Sequence, residues 1–236
     1  MFSYQTMESE TKLLIQVAAV LLPFYVAIIR LIVILPSLRT RKVKGETKKI
    51  ANVVCGSLKS IMIFLGSGGH TGEMLRILEK MDISGLNRTW IASSGDNSSL
   101  NKAKVYEEQQ IGQQNPTKVN FLTVPRARKV GESKLLAVGS TLRSFVATWK
   151  ALYKEPKPDV VLLNGPGTSV PIAYILFAFK YFGLCNTKII YIESLARVHL
   201  LSLSGRLVTP TANRIIVQWP QVRNSCHRAE YYGILV

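Results

Sequence analysis

Acidic residues are scarce in this sequence: 14 stand against 30 lysines and arginines, a formal net charge of +16 over 236 residues. Such an excess attracts a polyanion, whether nucleic acid, an anionic membrane face or a phosphate-bearing substrate. Cysteine is scarce as well. Cys55, Cys185 and Cys226 are far apart, odd in number and never arranged as Cys-x-x-Cys. A disulfide framework is thereby excluded, and free thiols in a reducing compartment are expected. The three histidines (His70, His199, His227) are scattered, so no metal cluster can be assembled with these cysteines at ligand spacing. Internal repeats are also missing. One domain plus an appendage suits the length, and 47% hydrophobic residues suffice for a real core.

Against these absences stands one long apolar run. Leu13 to Ile29 holds 17 uncharged residues, and beyond Arg30 the run continues from Leu31 to Leu35. A membrane span needs about 20 such residues. The segment qualifies if Arg30 snorkels toward a headgroup, and Pro23 is tolerable in lipid. A cleaved signal peptide fits less well, because the run is too long and its front is acidic. The segment could also be a buried or interfacial helix, although it is apolar all round. Arg39, Arg41, Lys42, Lys44, Lys48 and Lys49 follow it, whereas Glu8, Glu10 and Lys12 precede it. The positive-inside rule then puts the C-terminal side in the cytosol. The sequons at Asn87 and Asn97 should therefore stay bare. Three regions are expected: an anchor over 1–36, a basic linker over 37–59 and a folded domain over 60–236.

The stretch from Ser60 to Leu78 organises that domain. An apolar run (Ile61 to Leu65) stops at Gly66; four glycines and a threonine follow within seven positions; Met74, Leu75 and Leu78 then recur at helical spacing. Strand, glycine loop and helix start make a nest of backbone N–H groups that binds anions. The dinucleotide fingerprint fails because Thr71 stands where its third glycine belongs, and the P-loop Lys-Ser/Thr pair is missing. What remains is a Gly-Gly-His-Thr turn, which could also be a tight turn without chemistry.

Downstream, strands are expected at Arg88–Ser93, Val119–Val124, Asp159–Leu163, Lys188–Ile192 and Arg214–Trp219. Helices are expected over 71–81, around Asn101–Gln110, over Ser133–Tyr153 and Val170–Phe182, and near Ser204–Val208. Alternation of this kind gives a doubly wound, Rossmann-like α/β fold with a parallel sheet. Its site should lie where strand C-termini converge, at loops 66–72, 164–168 and 193–197. His70 is the candidate base, since imidazole titrates near neutral pH. Glu73 could orient it, act as base itself or be a plain helix-start acid. Glu193 could be a base or pair with Arg197, and Arg197 alternatively grips a diphosphate. The basic, apolar Arg126–Lys150 region lacks the aromatic interleaving of a nucleic-acid surface. It is expected either to face a membrane or simply to cover the sheet.

FLGSGGHTGEM, LLNGPGT, YIESLAR, IIVQW and the terminal YYGILV, in that order, resemble the membrane-anchored subunit of the two-chain UDP-N-acetylglucosamine transferase of the dolichol pathway. That family is similar to the N-terminal half of MurG-type, GT-B glycosyltransferases. Where the family has an Ala-Asp pair before the last strand, this chain has Thr209 to Arg214, and Pro220 interrupts the segment after IIVQW. The resemblance implies a subunit that binds dolichyl-diphosphate-GlcNAc as acceptor and recruits a soluble donor-binding subunit. UDP-GlcNAc would occupy the shared cleft, and membrane lipid would surround the anchor, at the cytosolic face of the endoplasmic reticulum. Catalysis would fall to His70, Glu73 and Glu193. Substrate would be bound by Gly66, Ser67, Gly68, Gly69, Thr71, Asn164, Gly165, Gly167, Thr168, Ser194 and Arg197. No cofactor and no metal are expected, and no Asp-x-Asp triplet is present. The apolar tail Tyr232, Ile234, Leu235 and Val236 would dock the partner or pack on its own sheet.

Overall fold

A computed structural model describes residues 2–38, 58–111, 117–126 and 134–236. Most of the expected linker, Cys55 and the basic pair Arg128 and Lys129 lie outside the described residues. The elements are α1 (Phe2–Ile34), β1 (Ser60–Leu65), α2 (Gly69–Glu79), β2 (Asn87–Ser93), α3 (Asn97–Tyr106), β3 (Val119–Val124) and α4 (Lys134–Lys154). There follow β4 (Val160–Asn164), α5 (Ser169–Tyr181), β5 (Lys188–Ile192), α6 (Leu203–Val208), β6 (Arg214–Val217), α7 (Pro220–Ser225) and β7 (Ala229–Tyr231).

All seven strands pair in parallel, in the order β3-β2-β1-β4-β5-β6-β7. The order reverses between β1 and β4, and a crevice opens at the C-terminal ends of strands at such a switch point. Successive side chains of a strand point to opposite faces, and β1 divides accordingly. Met62 and Phe64 join one core with Ile172, Leu176 and Phe179 of α5, Leu152 of α4 and Val208 of α6. Ile61, Ile63 and Leu65 join the other with Met74 and Leu78 of α2 and Ala103 and Tyr106 of α3. Helix α5 is a core helix, with Ile172, Ile175 and Phe179 buried.

Three local differences from expectation stand out. Helix α2 begins at Gly69, two residues early, and ends at Glu79. Helix α3 begins at Asn97, because the Asp96 carboxylate accepts from Ser99 N at 3.2 Å and caps it. It widens into a π-turn over Glu107–Ile111, where Glu107 is drawn inward by Arg88 Nε (2.8 Å) and Trp90 Nε1 (2.6 Å). Finally, the last expected strand stops at Val217, and β7 adds an unforeseen seventh strand beside it.

Helix α1 contains a 24-residue stretch, Thr11–Ile34, long and apolar enough to cross a membrane. Its C-terminal end is fastened to the domain. Arg30 Nε donates to the Tyr181 carbonyl at 2.6 Å, Tyr181 Oη donates to Ala27 O at 3.1 Å, and Ile34 and Leu35 pack on the α5 core. Arg30 therefore caps the C-terminus of α5, where a cation is favoured.

Candidate active site

His70 sits in a slot made by two glycines from two loops. A Cβ on Gly66 would lie 2.7 Å from the His70 Cβ, and one on Gly165 would lie 2.6 Å from the imidazole Cγ. Gly165 also has φ +68°, a left-handed conformation natural to glycine. Asn164 Nδ2, at the end of β4, donates to the His70 carbonyl at 2.7 Å. The histidine is thus held across the switch point from both sides. Its side chain remains 33% exposed.

Around it the glycine loop is open. Apart from the adjoining backbone, no heavy atom lies within 4 Å of the position a Cβ would take on Gly68, Gly69, Gly72 or Gly167, and Ser67 is exposed. Helix α2 starts without a side-chain cap, leaving its first N–H groups to an anion. Thr71 is different: it is fully buried, its hydroxyl donates to the Gly66 carbonyl, and it lies 2.6 Å from Ser99 Oγ, which bonds Asp96. It fastens the loop and does not line it. Thr168, also buried, lies 3.3 Å from Ser93 Oγ.

The two carboxylates proposed for chemistry have unlike surroundings. Glu73 Oε2 stands 3.6 Å from His70 Nδ1, longer than a hydrogen bond, and Glu73 Oε1 accepts from Ser194 Oγ at 2.9 Å. His70 Nδ1 is buried and makes no hydrogen bond; such catalytic pairs often stand long and tighten with substrate. Glu193 is 1% exposed. Its Oε1 accepts from Ser194 N (3.1 Å) and its Oε2 from Ser202 N (2.8 Å). Among the described residues it forms no ion pair with Arg197, so the alternative pairing read from sequence does not occur. Arg197 is exposed at the rim. Beside Glu193, burial raises the Tyr191 hydroxyl well above the usual phenol range, and the Glu193 charge adds to the shift. Tyr191 remains a donor there, 3.3 Å from the Gly165 carbonyl.

Gln218 was not singled out by sequence reasoning, although it lies in the IIVQW run. Its buried amide donates to Glu193 O (3.2 Å) and accepts from Leu235 N (3.1 Å). The tail follows from this. Tyr232, Leu235 and Val236 pack on the α2-side core, Lys80 Nζ donates to Leu235 O at 2.8 Å, and Ile234 stays 53% exposed. A groove of about 630 Å³ lies elsewhere, between α2 and α3, lined by Leu75, Glu79, Lys102 and Val105. It does not contain His70, and the convergence of polar groups favours the rim.

A family model described as "Oligosaccharide biosynthesis protein Alg14 like" matches residues 61–235. The chain belongs to the Alg14 family. Within it, the Debaryomyces hansenii protein called UDP-N-acetylglucosamine transferase subunit ALG14 is 51% identical over 235 residues, covering 98% of this chain and all of that one. The Candida albicans protein of the same name is 47% identical, with 98% and 100% covered. The Schizosaccharomyces pombe one is 40% identical, with 75% and 83% covered. Among solved structures, this Alg14-family chain is similar to Acinetobacter baumannii MurG, with a TM-score of 0.50 at 13% identity. The match covers 73% of this chain and 45% of MurG, and it shows the GT-B half-fold alone.

Chemically, the rim unites a one-third-exposed imidazole backed by a carboxylate, uncapped helix N–H groups and an exposed guanidinium. That set suits proton abstraction from a hydroxyl beside a phosphate-bearing group.

Proposed function

We propose that this chain is the anchoring and acceptor-binding subunit of the UDP-GlcNAc transferase that adds the second GlcNAc to dolichyl-diphosphate-GlcNAc through a β-1,4 bond. The observation that carries this reading is the His70 slot at the switch point of a single Rossmann-like unit. One such unit corresponds to less than half of MurG. A soluble partner supplies the donor-binding half, with UDP-GlcNAc in the shared cleft and Ile234 among the residues left to meet it.

In this reading Glu73 holds the Nδ1–H tautomer of His70, so that Nε2 accepts the proton of the acceptor 4-hydroxyl. The oxygen attacks the anomeric carbon, UDP leaves from the opposite face, and the configuration inverts. The N-terminus of α2 and Arg197 steady the acceptor diphosphate. The absence of an Asp-x-Asp triplet agrees with a displacement that needs no metal. Helix α1 anchors the chain in the endoplasmic reticulum membrane, with the domain in the cytosol.

The test is turnover of UDP-GlcNAc with a lipid-linked GlcNAc-diphosphate, using the full chain alone and with its donor-binding partner. Activity is expected only for the pair, and His70→Ala in the pair is expected to lose about 10²–10⁴-fold. Turnover by the chain alone would mean a self-sufficient transferase, and full activity of His70→Ala would leave a scaffold. Orientation is read from Asn87 and Asn97, both exposed. A glycan on either would place the domain in the lumen and refute the cytosolic reading.

A further inference from the structure

Ser194 stands just beyond the C-terminal end of β5, yet it reaches Glu73 in the second turn of α2, 121 residues away in sequence. Every polar group it carries is engaged. Its N–H donates to Glu193 Oε1 (3.1 Å), its carbonyl accepts from Arg197 N (3.0 Å), and its hydroxyl oxygen accepts from Ala196 N (3.2 Å). The hydroxyl hydrogen is left to point at Glu73 Oε1, 2.9 Å away. The residue is 4% exposed, which leaves no surface for a substrate hydroxyl or phosphate to contact. These facts do not suit the substrate-binding role expected from sequence.

We infer that Ser194 is a positioning residue that acts on catalysis through Glu73. The inference rests on the reading of His70 as base. An Ala196 N–H fixes the hydroxyl as donor toward one carboxylate oxygen of Glu73. The other oxygen is thereby turned to His70 Nδ1, 3.6 Å away. Glu73 lies on a helix and its side chain is 18% exposed, so without Ser194 it would be free to turn toward water. The loop after β5 thus sets the tautomer and angle of an imidazole carried by the loop after β1. Ser194 is itself held by Glu193, whose burial now has a purpose: it makes the loop rigid and stays apart from the proton transfer.

The experiment uses the full chain co-purified with its donor-binding partner, assayed with UDP-GlcNAc and lipid-linked GlcNAc-diphosphate. Ser194→Ala is expected to lower kcat about ten-fold, the effect of losing a hydrogen bond to a charged group, with the acceptor KM unchanged. Ser194→Thr keeps the hydroxyl and is expected to restore most of the rate. In a Glu73→Gln background, Ser194→Ala is expected to cost nothing further, because the group it acts on is already altered. A raised acceptor KM with kcat intact would overturn the inference by making Ser194 a substrate contact. An undiminished loss in the Glu73→Gln background would overturn it by making the effect one of folding. An inactive His70→Ala beside a fully active Ser194→Ala defeats this inference alone; a fully active His70→Ala defeats the base assignment beneath it.

Discussion

The loops after β1 and after β5 each bring a glutamate to the same rim, and they are built in opposite ways. Over residues 66–73 Gly68, Gly69 and Gly72 border open space, the imidazole is one-third exposed, and Glu73 keeps an oxygen facing His70. In loop 193–205 the carboxylate of Glu193 is sealed, with each oxygen taken by a backbone amide, and Gly205 is so close that a Cβ would meet Oε2 at 2.6 Å. A carboxylate whose lone pairs are spent on main-chain N–H groups shapes a loop; one facing an imidazole can take part in a reaction. The difference separates scaffold from chemistry more sharply than residue type does.

The widest separation is expected from removing each acid. Glu193→Ala leaves one buried and one part-buried amide without acceptors, at about 1–3 kcal/mol each. The purified chain should melt lower by roughly 5 °C or more, at about 2–4 °C per kcal/mol. Glu73→Ala orphans only the rotatable Ser194 hydroxyl, so the melting temperature should fall by less while kcat drops. Equal loss of stability from both would erase the contrast.

Glycines give the next largest effect. Gly165→Ala forces a side chain into φ +68° and onto the His70 ring, costing about 2–3 kcal/mol and displacing the imidazole, so melting temperature and kcat should fall together. Gly69→Ala meets nothing and should leave stability nearly unchanged while weakening acceptor binding, read as a raised KM. Smaller again is Gln218→Leu, which removes the amide between Glu193 O and Leu235 N. It should cost about 1–2 kcal/mol, and protease cleavage at the tail should rise if that link holds the C-terminus to the β5 loop.

The fold was largely legible because its strands are short, apolar and closed by glycine or proline signals, and β3 was placed to the residue. Strand β7 was not, because Ala229–Tyr231 carries no alternation and pairs only because β6 offers a free edge. The positions of His70, Glu73 and Asn164 at converging strand ends could be inferred from topology. The division of labour between Glu73 and Glu193 could not, since both are acids near strand or helix ends and only burial tells them apart. Gln218, Thr71 and the partner of Arg30 were hidden for the same reason: each contact joins residues far apart in sequence, without a local pattern. The apolar tail left two packing options open, and Tyr232, Leu235 and Val236 take the one on their own sheet, with Ile234 outward.

A third acid extends the comparison to the other end of the strands and gives the smallest expected effect. Asp159, just before β4, accepts from Lys59 N (2.8 Å), Ser60 N (3.0 Å) and Ser60 Oγ (3.1 Å), and so ties the start of β1 to the start of β4. The Lys59 amide first, then the Ser60 groups and the Lys59 charge, hold its carboxyl below the usual carboxylate range against the opposing pull of burial. A folded-state value below the unfolded one, about 3.9, means that the contribution is fully present above that pH and is lost as pH falls through the folded value. Asp159→Asn should therefore melt below the wild type at pH 7, and the gap should close as pH drops below about 4. Its kcat at pH 7 should match the wild type, because the strand ends it joins face away from the rim. A gap that stays constant with pH would remove the acid linkage. A fall in kcat without a fall in melting temperature would show that chemistry is not confined to the C-terminal ends of the sheet.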